Sequence, residues 1–98
     1  MAAATLAQVN ARVREVADHI QPLLAPHPGL ARRNAHAHAW LGIKTIFGEQ
    51  WRERADLAAV LAFVEWMQTH PNDDYEAYDG PVRHLEPGER GLLFETGD

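Results

Sequence analysis

His36-Ala37-His38 is the arrangement in this 98-residue chain that most invites chemistry, because neighbouring imidazoles can share a metal ion. The flanking alanines and the period of the segment read as helix, where side chains two apart point to opposite faces. One ion cannot then be held by both rings. His36 is expected in the apolar stripe beside Trp40 and Ile43, with His38 on the wetter side. No HExxH pattern accompanies them, and no carboxylate stands where it would complete a helical histidine pair. His19, His27, His70 and His84 fall on helix ends and connections. The expected fate of a half-buried histidine here is one bond to a carbonyl or carboxylate, so neither a metal nor a cofactor is expected.

Nucleophilic catalysis has little to work with. The chain contains no cysteine and no serine, which removes thiol nucleophiles, disulfides and thiolate zinc sites. Thr45 reads as a solvated or back-bonded helix residue. Asp73-Asp74, beside Asn72, reads as turn chemistry and surface charge, with nothing nearby to shift a carboxyl group toward acid–base work. No glycine-rich phosphate loop follows a strand, and the glycines at 80, 88, 91 and 97 are turn residues. An enzyme is not expected.

The cations offer a different chemistry. Arg32-Arg33 opens one predicted helix, and Arg52 and Arg54 open another. Cations there oppose the local helix dipole, so helix preference does not explain them. Arg32, Arg33, Arg52 and Arg54 are therefore the candidates for contact with an acidic partner or a phosphate backbone. The favoured alternative pairs them with Glu49, Glu53, Asp56 or the acidic tail. Net charge is −5, which disfavours general nucleic-acid binding. The charge is unevenly placed: residues 1–64 hold seven bases against five acids, whereas residues 65–98 hold Arg83 and Arg90 against nine acids. Asp73, Asp74, Glu76 and Asp79 give the tail an acidic contact surface, able to occupy the basic face or to act as a decoy for a basic site elsewhere.

Three helices must position these groups. The first spans about Thr5 to Gln21, with Thr5 as N-cap, Gln8 completing a capping box and Pro22 stopping it. Leu6, Val9, Val13, Val16 and Ile20 form a narrow seam, suited to packing within the chain or to self-association as a homodimer. After the proline-rich connection 22–29, a second helix runs from Leu30 or Ala31 to Phe47, with Gly48 in a left-handed C-terminal position. Its buried face is Ala35, Ala39, Ile43 and Ile46, flanked by Trp40 and Phe47. The third spans Trp51 to His70. From Leu57 to Val64 it has no polar side chain, so it must be covered on more than one side, yet it is too short and charge-flanked to cross a bilayer. Trp40, Trp51 and Trp66 read as core or rim packing. Val82–Leu85 and Leu92–Glu95 are candidates for a short β-hairpin, or for a tail laying Tyr75, Tyr78, Leu85 and Phe94 on the helices.

The stretches Ile43-Lys44-Thr45-Ile46-Phe47-Gly48, Trp51-Arg52 and Leu61-Ala62-Phe63-Val64-Glu65-Trp66 resemble the C-terminal helical module of phage antirepressor-type regulatory proteins. The resemblance covers about a third of the chain firmly and rests on packing residues. It implies an interaction or assembly module of phage or mobile-element origin and supplies no catalytic residue. The large N-terminal DNA-contacting domain of those regulators has no counterpart here, so DNA binding is not implied.

The sequence thus predicts an all-α fold: a small antiparallel bundle of three main helices over residues 1–71, followed by an acidic tail over 72–98. The expected function is a non-enzymatic, protein-binding regulatory or assembly module. Its expected partner is another protein, with a nucleic-acid accessory role less favoured and no membrane contact. No segment has the pattern of a signal peptide, so a cytoplasmic location is expected.

Overall fold

The computed structural model describes residues 4–25 and 34–85. Helix α1 covers Leu6–Ile20 and starts as its sequence dictates. The Thr5 hydroxyl accepts from the Gln8 backbone N–H at 3.1 Å, and the Gln8 side chain accepts from the Thr5 N–H at 2.9 Å. Two of the donors that every helix start leaves unpaired are satisfied by this exchange. Pro22 then carries the chain into a 3₁₀ turn over Gln21–Leu23. Helix α2 covers Ala35–Phe47, capped by Asn34, whose side chain accepts from the Ala37 N–H at 3.1 Å. It ends at Gly48, with φ of 93° and an extended ψ of 166°. The expected glycine stop is there, in a more extended backbone state than the left-handed one, and still one that side-chain-bearing residues rarely enter.

The expected helix from Trp51 to His70 is two helices. A single turn, α3, covers Trp51–Arg54, and α4 covers Leu57–Thr69. The chain is extended at Ala55, with ψ of 149°, and Asp56 caps α4 by accepting from the Ala58 N–H at 3.1 Å. The opened backbone is paired by a later segment: the Asp56 N–H donates to the Arg83 carbonyl at 2.8 Å and the Leu85 N–H to the Arg54 carbonyl at 2.7 Å. An antiparallel bridge joins Ala55 to His84. Cap chemistry at Asp56 has therefore overridden the apolar period. Arg83–Leu85 of the expected strand pairs here, and its expected hairpin partner Leu92–Glu95 lies outside the described residues.

Helix directions follow from three side-chain clamps. Gln21 accepts from the Ala35 N–H at 2.9 Å, so α2 starts where α1 stops. Asn72 accepts from the Ala25 N–H at 2.7 Å and donates to the Leu23 carbonyl at 2.9 Å, so α4 ends beside the end of α1. The result is an up–down–up bundle, with α2 antiparallel to both neighbours. Val9, Val13, Val16 and Ile20 of the seam are fully buried among Ala35, Ala39, Ile43, Val60, Phe63 and Val64. Leu6 packs at the edge of the same core. The seam is closed within one chain, the first of the two packings its spacing allowed, and a second copy could reach it only by opening the bundle.

The segment beyond α4 belongs to the same packing unit as far as Leu85. Tyr75 and Tyr78 lie against the core, edge-on to Phe63 at centroid distances of 6.2 and 5.0 Å. Gly42 of α2 makes this possible, since a Cβ there would sit 2.8 Å from Tyr75 Cε1 and 3.0 Å from Phe63 Cζ. Tyr75 is pinned in turn. Its hydroxyl donates to the His38 carbonyl at 2.7 Å and lies 2.9 Å from His38 Nδ1, which must then carry the proton and donate back. Among the described residues no helix is long and apolar enough to cross a membrane.

Candidate functional site

The histidine pair lies on α2 as expected, with its two faces exchanged. His36 is exposed and its Nε2 stands 3.7 Å from Asp18. His38 is the half-buried one, held by Tyr75. The outcome was set by a residue 37 positions away, which no local period encodes. Among the described residues no group of three or more His, Cys, Asp or Glu could hold a metal. Thr45 and Thr69 donate their hydroxyls to the carbonyls of Leu41 and Trp66, at 2.7 and 3.2 Å.

Arg32 and Arg33 lie outside the described residues. Arg52 and Arg54, both exposed on α3, line separate recesses on either side of the turn Gly48–Gln50. One recess, of about 330 Å³, is lined by Trp40, Lys44, Glu49, Trp51 and Arg52. The other, of about 350 Å³, is lined by Phe47, Gly48, Glu49, Gln50, Arg54 and His84. His84 closes the base of the second by donating from Nε2 to the Phe47 carbonyl at 3.0 Å.

The first recess has the more developed chemistry. Trp51 is nearly fully buried and stacks on the half-buried Trp40, with ring centroids 5.9 Å apart and planes 23° from parallel. Phe47 ends α2 and the turn is only three residues long, so the tryptophan opening α3 folds back onto the one in α2. The Arg52 guanidinium then lies over both rings, 4.5 Å from the Trp51 centroid and 5.6 Å from that of Trp40. Attraction between a cation and an indole face holds it there, so Arg52 covers Trp51 while keeping its charge at the surface.

The expected ion pairs around this cation are not the ones formed. Glu49 pairs with Lys44 at 3.3 Å, and Asp56 with Arg83 at 3.4 Å. Among the described residues no carboxylate lies within ion-pair distance of Arg52 or Arg54. Asp73, Asp74, Glu76 and Asp79 are all exposed and make no ion pair with a described base. Burial, aided by the charge of Asp79, pushes the Tyr78 hydroxyl up from the ordinary phenol value. On the far side of the bundle, Arg12 grips Glu65 through two nitrogens, one of them at 2.8 Å, and donates to Gln68 at 2.7 Å. That interaction joins α1 to α4.

Sequence reading missed Trp40, Lys44 and Glu49 as members of one site with Arg52. The available signal was the i, i+4 spacing of Trp40 and Lys44, with Trp51-Arg52 just beyond a glycine turn. It also missed Leu41, which is 56% exposed and shares its side of α2 with Lys44 and Thr45. No protein-family model, curated protein or solved structure matches this chain.

Proposed function

We propose that this chain is a non-enzymatic regulatory or assembly module that acts by binding another protein through the face formed by α2 and α3. The observation carrying this reading is an exposed leucine, Leu41, one turn from an indole–guanidinium stack that no described carboxylate neutralises. Tryptophan and arginine are the side chains most enriched in contact hot spots, and Leu41 adds exposed apolar surface beside them. The engagement of the Thr45 and Thr69 hydroxyls with backbone carbonyls supports a binding role over a catalytic one. Arg52 and Arg54 open onto different recesses, which favours a discrete protein contact over a continuous phosphate track. The likeness of 43–48, 51–52 and 61–66 to the helical module of phage antirepressor-type regulators points the same way and suggests a phage or mobile-element setting.

Affinity capture from the native host tests this, comparing the wild-type chain with Leu41→Asp and with Arg14→Gln on the exposed side of α1. The expected result is one specific protein retained by the wild type and Arg14→Gln and lost by Leu41→Asp, with all three equally folded by circular dichroism. Equal capture by all three would overturn the assignment of the binding face.

A further inference from the structure

The recess beside α3 has a feature that protein binding in general does not require: a flat cation stacked on two indoles and, among the described residues, with no carboxylate within ion-pair distance. We propose that this recess binds a carboxylate side chain of an acidic segment in the partner protein, with Arg52 as the pairing group and Trp40 as the apolar wall. The proposal deepens the function given above and rests on it.

Stacking on Trp51 at 4.5 Å and Trp40 at 5.6 Å constrains the guanidinium before any ligand arrives. An arginine in water must lose side-chain freedom to make a two-point pair with a carboxylate, and here part of that ordering is already done. Both rings lie to one side of the guanidinium, and its planar fork of N–H groups is the geometry that carboxylates match. Glu49 would oppose an incoming anion, but Lys44 at 3.3 Å offsets its charge. The recess therefore keeps one net positive charge, that of Arg52, among its lining residues. Leu41, one helical turn before Lys44, offers apolar surface for a neighbouring residue of the bound segment.

A single carboxylate suits this recess better than nucleic acid does. Phosphate-driven binding needs a row of cations. Here Glu49 and Glu53 flank Arg52 in sequence, Arg54 lines the other recess, and the whole chain carries −5.

Tryptophan fluorescence titration with an acetylated, amidated peptide of alternating glutamate and leucine tests the proposal. The expected result is saturable binding by the full chain and none by the same peptide with glutamine for glutamate. Arg52→Gln should weaken binding by about tenfold, the value of one charge-assisted pair at a partly exposed site. Arg52→Lys should weaken it nearly as much, because a lysine keeps the charge without the flat fork. Arg14→Gln should bind like the wild type. Thermal melts establish that each variant is folded, and Arg52→Lys decides the matter if Arg52→Gln is not.

Unchanged binding in both Arg52 variants, or equal binding of the glutamine peptide, would overturn the carboxylate assignment. So would tighter, Arg52-dependent binding of duplex DNA than of the acidic peptide. The host-capture experiment separates the two readings. If Arg52→Gln keeps a partner that Leu41→Asp loses, the face stands and its carboxylate chemistry falls. If neither variant loses the partner, both fall.

Discussion

Replacing Gly42 with alanine sets helix preference against packing, and the structure decides which wins. Gly42 lies inside α2, where alanine is intrinsically favoured by about 1 kcal/mol. A methyl group at that position would lie 2.8 Å from Tyr75 Cε1, 3.0 Å from Phe63 Cζ and 3.1 Å from Phe63 Cε2. Neither ring can withdraw easily. Tyr75 is tied to His38 through its hydroxyl, and Phe63 is fully buried among Phe47, Trp66, Tyr75 and Tyr78. Forcing an extra methyl into such a site costs about 1–3 kcal/mol. With the helix gain set against the upper part of that range, Gly42→Ala should destabilise the protein by about 1 kcal/mol. Urea unfolding followed by far-ultraviolet circular dichroism measures this directly. The same substitution in a Tyr75→Ala background, with the nearest ring removed, should be close to neutral or stabilising, a coupling of about 1 kcal/mol or more. A higher urea midpoint for Gly42→Ala alone would refute the close approach of Tyr75 and Phe63 to α2.

Three further outcomes follow from the packing. Val13→Ala should cost on the order of 2 kcal/mol and leave sedimentation unchanged, because its methyl groups face the chain's own core; altered association at unchanged stability would contradict this. Asp56→Ala removes the cap of α4 and the Arg83 ion pair, and should cost about 1 kcal/mol while speeding hydrogen exchange at the Leu85 amide. The Glu65 carboxyl is held below its ordinary range, chiefly by its hydrogen bond with Arg12 and against the opposing effect of burial. A carboxyl lowered on folding contributes stability above its unfolded pKa and loses it as pH falls through the folded value. The pair is partly exposed, so its share at neutral pH is about 0.5 kcal/mol. Wild type and Glu65→Gln should therefore converge in stability as the pH drops below the ordinary carboxylate range. Parallel stability curves throughout that range would rule the linkage out.

Local chemistry was legible in this sequence, and long-range partnership was not. Thr5, Gln8 and Pro22 bound α1 as their side chains dictate, and the 4–3–4 spacing of Val9, Val13, Val16 and Ile20 marks its buried side. Gly48 marks the end of α2 for the same kind of reason. Asp56 directly precedes the apolar run, and the helical spacing from Trp51 onward reads straight through it as one helix. The break holds because Arg83 and Leu85, about thirty positions on, pair with the opened backbone. His36 and His38 exchanged places because Tyr75 takes His38. Arg52 was marked as a candidate contact, but its two indole neighbours come together only through the Gly48–Gln50 turn.

The three indole N–H resonances offer the most direct measurement of whether the α2–α3 face is the binding surface. Trp40 and Trp51 line the recess with Arg52, whereas Trp66 stacks on Phe63 and His70 and meets Tyr78 edge-on. Titrating the acidic peptide into isotope-labelled protein should shift the Trp40 and Trp51 signals and leave Trp66 in place. Movement of Trp66 with Trp40 and Trp51 unchanged would locate binding elsewhere and contradict the proposed face.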